Sequence, residues 1–103
     1  MNNCVEVAKI FKVFSDETRL KIISLLQTGE KCACDLLDCL VISQSTLSHH
    51  MSLLVNSDIV TLRKDGKWSY YSINEKKAKN VINMLTDLLS VDEQLAQIKR
   101  ECV

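Results

Sequence analysis

Ile59-Val60-Thr61-Leu62-Arg63-Lys64-Asp65-Gly66-Lys67-Trp68-Ser69-Tyr70-Tyr71-Ser72-Ile73 is where the chain changes period. Before Asp58 the apolar residues recur at helical spacing. Here two β-prone runs, residues 59–63 and 67–73, flank Lys64-Asp65-Gly66. Asp-Gly between alternating runs is a strong short-range hairpin signal. A hairpin that directly follows a series of helices reads as a β-wing. Its tip gathers Arg63, Lys64 and Lys67 with only Asp65 among them, a local basic point that is either a solvated hairpin end or a contact to phosphate.

Upstream, residues 3–14 carry Val5, Val7, Ala8, Ile10, Phe11, Val13 and Phe14, too much for one buried stripe, so this helix needs cover on two sides. Ser15 offers an N-cap, and Asp16 and Glu17 place negative charge in the first turn of a second helix that runs to about Gln27 and stops at Gly29. Leu20, Ile22, Ile23, Leu25 and Leu26 supply its core face. A short third helix follows Cys32 and ends near Val41. Ser43 caps a fourth through about Asn56, with Leu47, Met51 and Leu54 on one face. Downstream of the hairpin, Ala78, Val81, Ile82, Leu85, Leu88, Leu89, Leu95 and Ile98 predict a helix from Glu75 to about Arg100, longer than the rest of the domain could cover, so it is expected to pack against a second copy.

The chain has 103 residues, enough for one small domain over 1–103 that buries only about 60–70% of its unfolded surface. With 47% hydrophobic and 25% charged residues, two Gly and no Pro, it has the composition of a helical globular protein. No repeats, low-complexity stretches or linkers divide it. No apolar run is long enough to span a membrane and no signal peptide begins the chain, so a cytoplasmic location is expected. The formal charge of zero argues against bulk polyanion binding, so any contact with nucleic acid depends on where the cations sit.

Within the fourth helix, Ser43-Gln44-Ser45-Thr46-Leu47-Ser48-His49-His50 has the make-up of a recognition helix: small hydrogen-bonding side chains in its first turns and apolar residues behind. Gln44 can pair bidentately with an adenine edge, and Ser or Thr can serve several bases or a phosphate. The same segment also fits an ordinary capped amphipathic helix, and it is the wing after it that favours DNA. His49 and His50 lie about 100° apart on a helix, a poor pair for one ion, so one ring is expected to pack and the other to face outward.

Five cysteines is an odd count without the spacing of a secreted disulfide framework, which points to free thiols or metal ligands, with redox chemistry as the rival. Cys32 and Cys34 stand at the start of the third helix, just after Gly29 ends the second. A thiolate pair selects thiophilic ions such as Cd(II), Pb(II), Zn(II) or trivalent arsenic and antimony. In a regular helix, residues two apart point about 200° away from each other, so these two can share an ion only at a distorted helix start. Cys39, five residues on, reads as a semi-buried thiol. Cys4 and Cys102 are both able to approach the pair from the same or another subunit, and Cys4 is preferred as third ligand.

Four motifs in order resemble the ArsR/SmtB family of winged-helix repressors, and in particular its arsenic-responsive members: residues 14–22 (Phe-Ser-Asp-Glu-Thr-Arg-Leu-Lys-Ile), Cys32-Ala33-Cys34-Asp35-Leu36, Ser43 through Met51, and Arg63 through Tyr71. The resemblance implies a mainly α winged helix-turn-helix with a small β-hairpin, forming a homodimer through its first and last helices. It implies binding to an imperfectly palindromic double-stranded operator without metal, and release when As(III) or Sb(III) binds the Cys-x-Cys box. Gln44, Ser45, Thr46, Ser48 and His49 carry over as DNA contacts, and Ser43, Arg63, Lys64 and Lys67 join them as candidates. Glu17 and Ser45 stand where the family usually has Pro, and Asp58 where Gly is usual. Leu37 stands where some arsenic sensors have a third Cys. The last helix has no His, which disfavours a zinc site there.

The reading is therefore a repressor of a metal(loid)-resistance operon. Its rivals are a Cd(II)- or Pb(II)-responsive repressor and a thiol redox or persulfide switch. An enzyme is disfavoured, because the chain has no Gly-rich phosphate loop or nucleophile motif, and both His sit in the DNA-reading helix.

Overall fold

A computed structural model of the chain describes residues 3–91. Five helices and three short strands follow in the order α1 (Cys4–Phe14), α2 (Glu17–Leu26), β1 (Lys31–Cys32), α3 (Ala33–Cys39), α4 (Gln44–Asn56), β2 (Val60–Asp65), β3 (Trp68–Ile73) and α5 (Glu75–Leu89). The expected winged helix is present.

Each boundary has a local cause. The Ser15 hydroxyl donates back to the carbonyl of Lys12 and so closes α1, while the Asp16 carboxylate accepts from the Arg19 amide at 3.0 Å and starts α2. Asp16, not Ser15, is thus the N-cap, since an acceptor aimed forward satisfies an amide that a hydroxyl aimed backward leaves open. Ser43 caps α4 as expected, its hydroxyl accepting from the Thr46 amide at 3.1 Å. At the other end of α4, Asp58 takes φ +63°. Its amide donates to Val55 and that of Ile59 to Leu54, the paired bonds of a Schellman stop that Gly usually serves.

The core is built from Ile22, Leu26, Leu36, Leu47, Met51, Leu54, Ile59 and Val60, all nearly excluded from solvent. Ile23 and Leu25 flank it half-buried. Leu20 does not join it: about 200° round the helix from Ile22, it is 47% exposed.

The sheet is antiparallel in the order β1-β3-β2. Asp65 pairs with Trp68, so the hairpin turns on Gly66 and Lys67, one residue later than the Asp-Gly signal placed it. Gly66, at φ +60°, takes the first central position of a two-residue loop, where a side chain would be strained. Strand β1 was not expected, since two residues are too few for alternation to register.

Helix α5 ends at Leu89, where Ser90 turns extended and its hydroxyl bonds the Thr86 carbonyl, so the expected run to Arg100 is interrupted there. Leu95, Ile98, Arg100 and Cys102 lie outside the described residues. None of the 15 residues of α5 is buried. No helix among the described residues is long and apolar enough to cross a membrane.

Candidate nucleic-acid interface and thiol site

Helix α3 runs over seven residues, and its start is fixed by the residue before it. Cys32 is not helical: it is the N-cap, with φ −80° and ψ 161°, and its Sγ accepts from the Asp35 amide while the Asp35 carboxylate accepts from the Cys32 amide, both at 3.4 Å. This capping box holds Cys32 in β1 while Cys34 sits in the first turn of α3. The 200° separation of two helical positions therefore does not apply. The two Cα atoms are 5.4 Å apart, and the sulfurs meet as a disulfide pair. Of the two alternatives for this pair, free thiols is corrected and metal ligands stays open; Cys4 and Cys39 are free, and Cys39 is exposed where a semi-buried thiol was expected.

The thiol site has a third member that the sequence reading passed over. Donor atoms of Cys32, Cys34 and Asp35 lie within 4.8 Å of one another, with Cys32 buried and the other two exposed. In the sequence Asp35 is only a member of the Cys32–Leu36 motif, and the capping box with Cys32 is what brings its carboxylate beside the sulfurs. Cys4, on α1, is not part of this cluster within one chain.

The outward face of α4 is open. Gln44, Ser45, Thr46, Ser48 and His49 are all exposed, as is the capping Ser43. His50 turns inward, its Nδ1 3.1 Å from Arg19 Nη1 and 3.9 Å from the Asp16 carboxylate. The two rings thus divide as expected, one packed and one facing out. The Asp16 carboxyl is held below the usual carboxylate range, first by the Arg19 amide.

On the wing, Lys64 and Lys67 are exposed. Arg63 is engaged: its Nη2 and Nε donate to the two Glu30 carboxylate oxygens at 2.7 and 3.1 Å, and its guanidinium lies 4.4 Å over the Tyr70 ring. That hydrogen bond is the first cause holding the Glu30 carboxyl below its ordinary range. A cleft of about 310 Å³ joins the three regions, lined by Cys34 and Leu37 of α3, Gln44 and Ser48 of α4, and Lys67 and Trp68 of the wing.

This arrangement has relatives. The family model described as bacterial regulatory protein, arsR family, matches residues 16–61. The arsenical resistance operon repressor of Staphylococcus aureus is 48% identical over 80 residues, 78% of this chain and 77% of that one. The chain belongs to the arsR family. The regulator is also 43% identical over 81 residues to a cadmium resistance transcriptional regulatory protein CadC homolog of Staphylococcus aureus, covering 78% of its own length and 67% of that protein. A solved structure described as a possible transcriptional regulator for arsenical resistance superposes with a TM-score of 0.68 at 28% identity, over 89% of this chain and 94% of that one. The regulator is accordingly a DNA-binding winged-helix transcription factor and not an enzyme. Relatives named for both arsenical and cadmium resistance support a metal-responsive repressor.

Proposed function

We propose that the regulator represses a metal(loid)-resistance operon by holding its operator as a homodimer, and lets go when As(III) or Sb(III) is captured by Cys32 and Cys34. The observation that carries this reading is the position of the sulfur pair. It caps α3, the first helix of the helix-turn-helix, and borders the cleft that also holds Gln44 and Lys67. Any ligand that resets the start of α3 acts on the element that supports the recognition helix.

In reduced form the two cysteines are soft donors to one small ion. Trivalent arsenic as its neutral hydroxide would take both sulfurs, the two thiol protons leaving with two hydroxides as water. Gln44, Ser45, Thr46, Ser48 and His49, with the capping Ser43, would face the major groove, and Lys64 and Lys67 the phosphates.

Two observations support different inducers. The Asp35 carboxylate beside the sulfurs suits Cd(II) or Pb(II) better than a purely thiophilic metalloid. The contact between the two sulfurs favours a dithiol-disulfide switch. Operator binding by fluorescence anisotropy, titrated in parallel with As(III), Sb(III), Cd(II), Pb(II), Zn(II) and peroxide on the reduced protein, separates these. Release by As(III) and Sb(III) at the lowest concentrations is expected. Release by peroxide alone would transfer the function to the redox reading.

A further inference from the structure

Strand β1 ties the thiol site to the wing. Cys32 is the cross-strand partner of Tyr70, and Tyr70 on its other side is the partner of Arg63, so the three form one row across the sheet. Directly opposed residues share a face, and Glu30, just before β1, is joined to that row by its bonds to Arg63. The row closes on itself: Arg63 stacks on Tyr70 and grips Glu30 through both carboxylate oxygens. The sensor strand is thus joined to the wing by a backbone ladder and by a side-chain clasp just outside it.

The clasp does little for stability, because exposed ion pairs contribute little. It also counts against Arg63 as an ordinary phosphate contact, since the pair must open before the guanidinium can reach one. A cation gains affinity for DNA by releasing the counterion of a phosphate. Arg63 is already neutralised by Glu30, and docking it on the backbone would set that carboxylate against a phosphate. What a bidentate, stacked guanidinium does well is fix geometry.

We propose that Glu30, Arg63 and Tyr70 form a strut that transmits the state of the Cys32–Cys34 site to the wing, with Arg63 a positioning residue of the response and not a contact to DNA. The coupling half of this proposal rests on the reading of the cysteine pair as the sensor. The exclusion of Arg63 from the DNA contacts does not.

The test measures operator affinity by anisotropy across a salt series, with and without As(III), for the parent and for Arg63→Ala, Arg63→Lys, Glu30→Gln and Lys67→Ala. Arg63→Ala should leave the salt slope unchanged, whereas Lys67→Ala should lower it by about one. The As(III)-induced loss of operator affinity, about 5–150-fold for a typical allosteric coupling, should shrink at least threefold in Arg63→Ala and in Glu30→Gln. Their double variant should be no worse than either single one. Arg63→Lys should fail to rescue the response, since an ammonium cannot grip both oxygens. Should Arg63→Ala lower the slope by about one and Arg63→Lys restore it, Arg63 is a phosphate contact and the strut is wrong. Full As(III) response in both Arg63→Ala and Glu30→Gln overturns the strut as well. A Cys32→Ser, Cys34→Ser variant that still responds to As(III) defeats the sensor reading and the coupling half with it, while the slopes still decide the role of Arg63.

Discussion

The guanidinium of Arg19 binds His50, its Nη1 3.1 Å from the ring Nδ1, while its Nε donates to the carbonyl of Val13 at 2.8 Å. One side chain from α2 therefore joins the end of α1 to the back of the recognition helix. A charged donor shared among partly buried acceptors is worth more than a neutral one, about 1.5–3 kcal/mol. Arg19→Ala should lower unfolding stability by roughly that amount, seen in urea as a lower midpoint at unchanged slope. Arg19→Lys, which lacks the fork, should recover only part of the loss. A change within about 0.5 kcal/mol for Arg19→Ala, the range of an ordinary surface substitution, would remove this joint from the account.

The same junction sets an acid limit. Asp16 is ionised to lower pH in the folded chain than in the unfolded one, chiefly because its carboxylate accepts from the Arg19 amide. Its contribution is complete above the ordinary carboxylate range and disappears as pH falls through the lowered value. Asp16→Asn keeps an N-cap acceptor but cannot titrate. Its stability profile should be flatter than the parent's below about pH 4 and parallel to it near neutrality, as thermal unfolding across a pH series would reveal. An acid limb unchanged in the variant would show that other carboxyls carry the dependence.

How far the sequence could be read follows from the range of each signal. The core of α4 was legible because Leu47, Met51 and Leu54 are spaced by its own period, and Gly66 marked the hairpin to within a residue. What needed coordinates were the pairings between distant segments. Glu30 and Arg63 are 33 residues apart, and nothing in a basic cluster at 63–67 says that one of its members is already neutralised. Strand β1 exists only because β3 offers it an edge. That α3 follows Cys32 was legible, but the extended backbone and capping box that turn the Cys32 sulfur to Cys34 are not written in the helical period.

Helix α5 predicts a dimer. Ile82, Leu85, Leu88 and Leu89 are 62%, 41%, 45% and 72% exposed, and Val5 on α1 is 65% exposed. Apolar side chains recurring along one helix make a patch of a kind that marks an interaction surface. Sedimentation at micromolar concentration should find a dimer, and a Leu85→Glu, Leu89→Glu variant should sediment as a monomer and lose most operator affinity. A monomeric parent would refute the arrangement through the first and last helices.

On the DNA side, Gln44 and Lys67 should differ in kind. Gln44 is exposed in the first turn of α4, where a side chain can reach a base edge, so Gln44→Ala should cost about 1–3 kcal/mol of operator binding and relax preference at one base position. Lys67 stands in the turn of the wing, and its removal should weaken every sequence alike. In a dimer the two recognition helices should meet half-sites about 34 Å apart. Selection from a randomised operator library reads both effects, and unchanged preference in Gln44→Ala would remove α4 from the groove.

The thiol site allows a clean separation of fold from response. Cys32 serves α3 as N-cap through its Sγ, and serine is a stronger acceptor in that role. Cys32→Ser should therefore keep the cap, fold and bind the operator, yet lose the response to As(III), because a hydroxyl oxygen is a hard donor that thiophilic ions reject. Cys34→Ser should lose the response equally without any effect on capping. Cys39→Ser should respond as the parent does, its thiol being exposed and outside the cluster. Cys4→Ser should weaken the response modestly for As(III) and strongly for Cd(II) if the partner subunit's α1 supplies a thiolate. Linkage adds a check that does not depend on repression: operator DNA should weaken As(III) binding by the same factor by which As(III) weakens the operator, measurable by calorimetry with and without DNA. Release of the Cys32→Ser, Cys34→Ser double variant at the parent's As(III) concentration would show that the metalloid acts elsewhere.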